Sequence, residues 1–174
     1  LVGEGVDVAV RLASLPDSSL SAVKVGEVRR LTCAAPSYLA EHSPPEHPSD
    51  LLNHRCIGLN EAGTQELWRY RERGACHLAT NSAGAAIDAA EQGMGIVRPL
   101  SYQVEQQIAE GSLVPLLEEY EPEPLPVHLV FQPRWGKGGA TRAFIDHAVP
   151  PLRKLFRNAH LRPYIAENQA RFAD

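Results

Sequence analysis

Residues 80–100, TNSAGAAIDAAEQGMGIVRPL, decide the fold that we predict for this chain. They indicate the end of a strand, a polar N-cap at Asn81 or Ser82, and a helix that Gly93 closes where the backbone needs a positive φ. The apolar residues of the helix, among them Ile87, and Met94 after it are expected in the core. The N–H groups at a helix N-terminus attract anions, so this stretch predicts a ligand site rather than a catalytic one.

Composition limits the functions that this chain can have. With 174 residues, 44% of them hydrophobic, it can bury a core as one domain or as two small lobes. A formal charge of −4 has the wrong sign for a surface that neutralises many phosphates, so we do not expect this piece to hold DNA. No apolar run is long enough for a membrane span, and no leader opens the sequence.

The termini and the cysteines add two expectations. Residue 1 is Leu and the only methionine is Met94, so we expect a fragment of a longer protein. Cys33, Cys56 and Cys76 form no CxxC pair, which is typical of reduced thiols in a cytoplasmic protein.

Strands and helices alternate on both sides of residues 80–100, which favours an α/β fold. Predicted strands cover residues 6–12, 20–34 with an interruption near Gly26, 56–59, 67–70, 75–79, 113–117 and 127–132. Predicted helices begin at Pro36, at Pro48 for one or two turns, and at Ser101, which is expected to cap a helix that stops at Gly111. The last helix, beyond residue 139, is expected to kink or break at Val149, because two prolines follow.

The usual catalytic signatures are missing from the sequence, including GxSxG, HExxH, the P-loop and GxGxxG. His42, His47 and His54 lie close together in the sequence, but their spacings of five and seven do not match zinc patterns. We expect solvated surface histidines, no metal, no cofactor and no enzyme activity.

Seven segments in order resemble the effector-binding domain of LysR-type transcriptional regulators. They are GVDVAVR (5–11), PDSSL (16–20), VRRLTCAAPSYL (28–39), HPSDLLNHRCI (47–57), GMGI (93–96), GSLV (111–114) and PVHLVF (126–131). The resemblance covers about residues 3–156. The tail after Ala159 and the pair Pro150-Pro151 depart from it.

The resemblance implies a type-II periplasmic-binding-protein-like fold of two lobes, with lobe one incomplete. Residues 1–34 and 127–174 would form the partial lobe one, residues 35–126 would form lobe two, and strands 28–34 and 127–132 would be the hinge. It also implies a small-molecule effector held between the lobes and a cytoplasmic homo-oligomer, a dimer or tetramer. DNA would be bound only through a winged helix-turn-helix domain absent from this chain. Exposed sheet edges favour the dimer.

The candidate effector-binding residues are Arg11, Asn60, Thr80, Asn81 and Ser82. Each of them also has an alternative role. Residues 80–82 would cap the helix, Asn60 would occupy a turn, and Arg11 would form a salt bridge within its own lobe. Arg98 is a further candidate cation. Helix N-termini at Ser82 and Ser101, together with an arginine, would suit an anionic metabolite.

Two other functions remain open on the sequence alone. One is a stand-alone solute-binding protein of the same architecture, exported for uptake, although the unpaired cysteines count against it. The other is an enzyme on a similar scaffold, which the missing nucleophile-and-base arrangement opposes.

Overall fold

The computed structural model describes residues 6–13, 15, 20–59, 76–132 and 139–157. The chain divides into two compact units: unit 1 within Leu1–Arg29 and Glu123–His160, and unit 2 within Arg30–Pro122. The sequence placed these two boundaries at 34/35 and 126/127. Whether the units correspond to an incomplete lobe one and a lobe two stays a prediction.

The described strands and helices alternate along the chain. The strands are β1 (Val8–Leu12), β2 (Ser21–Val28), β3 (Thr32–Ala34), β4 (Cys56–Leu59), β5 (Cys76–Thr80), β6 (Ile96–Val97), β7 (Val114–Leu116) and β8 (Leu125–Phe131). The helices are α1 (Pro36–Glu41), α2 (Ala83–Glu91), α3 (Glu105–Glu110) and α4 (Gly139–Arg157), with 3-10 turns at Pro48–Asn53, Ser101–Gln103 and Glu118–Tyr120. The predicted strand at 67–70 lies outside the described residues.

Unit 1 is a three-stranded antiparallel sheet in the order β1-β8-β2, covered by α4. The register of β2 against β8 shifts between Lys24 and Gly26, which confirms the interruption expected near Gly26. Phe156 of α4 packs on that position: a Cβ at Gly26 would lie 2.3 Å from the Phe156 Cβ. Glycine is therefore required where the helix meets the sheet.

The last helix does not break at Val149, so the expected break was wrong, whereas a kink at this position stays a prediction. α4 runs through Pro150 and Pro151 without interruption. Ile145, before the prolines, and Phe156, after them, are both buried. Because apolar anchors hold the helix on either side, packing outweighs the roughly 3 kcal/mol that an interior proline costs a helix.

Unit 2 contains a five-stranded sheet in the order β5-β4-β6-β3-β7. β4 is parallel to both β5 and β6, whereas β3 is antiparallel to β6 and β7. Helix α2 links β5 to β6, which lie on either side of β4. Two clusters of buried residues fill this unit. The first includes Leu31, Ile57, Ile87, Val97 and Ile108, and the second includes Tyr38, Leu51, Cys56, Ile96 and Leu116.

Three further expectations need correction. The single strand at residues 28–34 is two strands, because β2 pairs with β8 in one sheet and β3 pairs with β6 and β7 in the other. Ser101 is buried in a 3-10 turn, and Val104 occupies the N-cap of α3 without a side-chain hydrogen bond. Met94 is 50% exposed, since it lies in the turn between two glycines after α2, outside the core that holds Ile87.

Candidate functional site

The candidate site lies at one edge of the unit 2 sheet, where three parallel strands end together. Leu59 of β4 lies beside Thr80 of β5, and Ile57 of β4 lies beside Val97 of β6. The carboxyl ends of β4, β5 and β6 therefore meet at a common edge, which we call the carboxyl edge. In open α/β sheets, ligands bind outside the carboxyl ends of the strands.

The turn from β5 into α2 presents the N-terminus of that helix at the carboxyl edge. The Ser82 N–H donates to Thr80 Oγ1 at 3.1 Å, and Ser82 Oγ accepts from the Ala85 N–H at 3.3 Å. Ser82 is thus the N-cap, one of the two expected residues, and Asn81 is exposed beside it. Because the Ala85 N–H is bonded to Ser82, the N–H groups of Ala83 and Gly84 are those that remain without an acceptor inside the helix at this edge.

The backbone at the start of α2 is open to close approach. Among the described residues, a Cβ built on Gly84 would meet only Ser82 Oγ within 4 Å, at 3.8 Å, apart from its chain neighbours and the backbone of its own helix. Apart from Ser82, no described side chain therefore crowds a ligand that approaches this turn. The partial positive charge there favours an anion.

The other candidates are spread over different parts of the chain. Arg98 directly follows β6, so it lies at the carboxyl edge, and it is half-buried. Asn60 lies outside the described residues, although the residue before it ends β4 at this edge. Arg11 belongs to unit 1, where it is exposed in β1 and pairs with His128 of β8. Ser101 begins a 3-10 turn, so the second α-helix N-terminus expected for the ligand does not lie at this residue but at Glu105, where α3 begins.

Sequence reasoning missed a buried polar cluster in unit 2. The Tyr38 hydroxyl accepts a hydrogen bond from the Arg55 backbone N–H at 3.0 Å and lies 3.1 Å from His54 Nδ1. The His42 ring stacks on the Tyr38 ring with centroids 4.3 Å apart. Burial, and secondarily His42, lowers the pKa of His54, and Asp50 partly opposes the shift. Their separation in sequence, with Tyr38 in α1 and His54 before β4, left no local signal of the contact.

The three histidines have different surroundings. His54 is buried, which corrects the expectation of a solvated side chain, whereas His47 is exposed and hydrogen-bonded to Ser49. His42 Nδ1 lies 3.1 Å from the Tyr38 carbonyl oxygen. Within the described part of the chain, no group of three His, Cys, Asp or Glu side chains has the arrangement of a metal site.

Solved structures of the same fold define the class of protein. The regulatory domain of CrgA, a LysR-type transcriptional regulator from Neisseria meningitidis, aligns with a TM-score of 0.72 and 30% identity, covering 87% of this chain and 78% of that one. The regulatory domain of AphB from Vibrio vulnificus gives a TM-score of 0.65 and 25% identity, covering 83% and 74%. The fold is thus the type-II periplasmic-binding-protein-like fold of LysR effector-binding domains, as the sequence predicted.

The family model of the LysR substrate binding domain matches residues 1–152, and the chain belongs to that family. CrgA from Neisseria meningitidis serogroup B is 30% identical over 159 residues, which cover 87% of this chain and 53% of the relative. PgrR from Escherichia coli K12 is 31% identical over 156 residues, which cover 84% and 52%. The chain therefore spans about half the length of these two relatives.

Family membership distinguishes between the functions that the sequence left open. The chain is an effector-binding regulatory domain of the LysR type, and the comparisons favour this function over the solute-binding protein and the enzyme. None of the helices in the described ranges is both long and apolar enough to cross a membrane.

Proposed function

We propose that this domain senses a small anionic metabolite, which binds at the carboxyl edge of unit 2 through Thr80, Asn81 and Ser82. Asn60 stays a candidate residue of the same site. The observation that carries the proposal is the common end of β4, β5 and β6 next to the N-terminus of α2. Family membership supports an effector as the ligand, and the helix N-terminus supports negative charge.

The chemistry of the edge favours a carboxylate. Its oxygens would accept hydrogen bonds from the first-turn N–H groups of α2 and from the Asn81 side chain, and Arg98 supplies positive charge at the same edge. Hydrogen bonds to a charged acceptor are about twice as strong as neutral ones. An amide of the same shape would lose that advantage and leave the helix dipole uncompensated.

We further propose that the full-length protein is a cytoplasmic transcriptional regulator. It would form a dimer or tetramer and bind DNA through a winged helix-turn-helix domain outside this chain. The relatives described as HTH-type regulators, of which this chain spans about half, support this arrangement. Effector binding would act by shifting the equilibrium between states of the oligomer.

Calorimetric titration of the intact protein tests the ligand class. A panel of small carboxylates and their neutral amides should contain carboxylates that bind at least about tenfold more tightly than the matched amides. Tighter binding of the amides would overturn the proposal.

Two asparagine variants test the position of the site. Asn81→Ala should weaken carboxylate binding by about five- to tenfold, because it removes one charge-assisted hydrogen bond. Asn53→Ala is the matched control: Asn53 is also exposed in unit 2, but it precedes the amino end of β4, at the opposite edge of the sheet. Equal losses in the two variants would place the ligand elsewhere.

Light scattering coupled to size exclusion tests the oligomer. The intact protein should elute with the mass of a dimer or tetramer, and a stable monomer at micromolar concentration would contradict this part of the proposal.

A further inference from the structure

Three basic side chains form a row across the sheet of unit 1. Arg11 of β1 and Lys24 of β2 are both in register with His128 of β8, the strand between them. Residues directly opposite each other in an antiparallel pair share a face of the sheet. The row therefore places a guanidinium, an imidazole and an ammonium group on one face.

The two ends of the row are accessible, whereas His128 in the middle is half-buried. Arg11 and Lys24 are exposed, and no described residue forms an ion pair or a side-chain hydrogen bond with Arg11. The neighbouring row on the same face has Ala9 and Ala22 on either side of Val130. Because the two alanines are small, they leave room beside the long basic side chains on the outer strands.

The row leaves positive charge that an anion could neutralise. Among the described residues Arg11 has no counter-ion, whereas Lys24 is ion-paired with Glu27. His128 Nδ1, between them, is buried without a hydrogen-bond partner. An anion above the row would therefore gain charge-assisted hydrogen bonds from Arg11 and Lys24.

The spacing suits an anion that accepts hydrogen bonds from two sides. Arg11 and Lys24 lie two interstrand spacings apart, roughly 10 Å between their backbones. Their side chains are long enough to converge on one group above His128. Arginine presents a planar fork that matches two oxygens of an oxyanion, and lysine adds a mobile point charge.

We propose that Arg11, His128 and Lys24 form a binding site for a phosphate group, either inorganic phosphate or a phosphate monoester. Two oxygens of a tetrahedral dianion can accept from Arg11 and from Lys24, which approach from opposite sides, once the anion replaces Glu27 as the partner of Lys24. A monocarboxylate would neutralise only one of these two side chains. The site lies in unit 1 and shares no residue with the carboxyl edge of unit 2, so either site can exist without the other.

Nuclear magnetic resonance of the intact protein tests the site. Inorganic phosphate is added at constant ionic strength, balanced with chloride, because screening alone would weaken or mimic an effect of charge. Saturable shifts are expected for the His128 ring and for amides of the three strands around it. Shifts spread over many exposed lysines and arginines, or shifts that do not saturate, would overturn the proposal.

Variants separate the row from general positive charge. Arg11→Gln and Lys24→Gln should each weaken phosphate binding by about tenfold, since each removes a charged hydrogen-bond donor. Lys154→Gln is the matched control, because Lys154 is exposed on α4 of the same unit. It should change the affinity by less than about twofold, and a loss equal to that of Lys24→Gln would sink the assignment.

A second titration identifies the source of the phosphate group. Tighter binding of glycerol phosphate than of inorganic phosphate would identify a monoester as the ligand, and the reverse would identify the free ion. A dicarboxylate such as succinate that binds more tightly than both would refute a phosphate site.

Discussion

Removing the Tyr38 hydroxyl should destabilise unit 2 through a buried hydrogen-bond network. Tyr38→Phe keeps the ring that stacks on His42 but deletes the oxygen that accepts from the Arg55 N–H at 3.0 Å and lies 3.1 Å from His54 Nδ1. Tyr38 is only 1% exposed and His54 only 8%, so water cannot readily replace the lost oxygen. The substitution therefore tests the network without opening a large cavity.

The expected loss follows from the two partners that remain. A buried polar group left without a hydrogen bond costs about 1–3 kcal/mol. Two such groups remain in Tyr38→Phe, His54 Nδ1 and the backbone N–H of the half-buried Arg55. We therefore expect the free energy of unfolding to fall by about 2–3 kcal/mol. That is a large share of the roughly 5–15 kcal/mol that stabilises a typical domain.

Urea denaturation of the intact protein measures the free energy of unfolding. The comparison requires that the slope of this free energy against urea concentration is the same in all variants. Tyr120→Phe is the control, because Tyr120 is 40% exposed and contacts His47 through its ring. The control should cost less than about 0.5 kcal/mol. A Tyr38→Phe loss as small as that of the control would refute the reasoning.

Three other expected outcomes rest on features of unit 2. Burial lowers the pKa of His54 below its ordinary 6.5, so the unfolded chain binds more protons below that pH, and stability should fall as the pH drops from about 6.5 through the folded pKa. The urea midpoint measured against pH should vary less in this range in His54→Gln than in the wild-type protein. If the pH dependence is unchanged in this variant, His54 does not cause it. Gly95→Ala would bring a Cβ to 2.3 Å from the Arg55 carbonyl oxygen, and calorimetry should show a loss of about 2–3 kcal/mol, whereas a wild-type melting temperature would contradict the clash. DTNB should react quickly with the exposed Cys76 and only after unfolding with Cys56, because burial raises the pKa of the Cys56 thiol to about 12; fast loss of both thiols in the native protein would argue against that burial.

Local signals in the sequence predicted much of the fold. Pro36 begins α1, the strand at Cys56–Leu59 has the expected bounds, and Gly111 ends α3 with a φ of 76°. Each of these features depends on residues within a few positions: a proline at a helix start, an apolar run, or a glycine in the left-handed region. Such signals can be recognised without knowing which distant residues the element packs against.

The predictions that failed concern features that depend on contacts with residues far away in the sequence. An apolar run at residues 28–34 does not reveal that its two ends pair in different sheets, and two prolines do not reveal that Phe156 anchors the helix beyond them. At the candidate site, capping rules predicted Asn81 or Ser82 as the N-cap, whereas the choice of Ser82 and the alignment of Thr80 with Leu59 required the structure. The row of Arg11, His128 and Lys24 required the registers of two strand pairs.

The strand order of unit 1 has a consequence during synthesis on the ribosome. β1 and β2 pair with β8 and not with each other, and β8 begins only at Leu125. Translation proceeds at roughly 5–20 residues per second, so both early strands wait about 5–20 s for their partner. The described part of unit 2 lies within Arg30–Pro122 and emerges whole during that interval. Nascent chains should therefore acquire protease resistance in unit 2 before unit 1, while β1 and β2 stay open to chaperones.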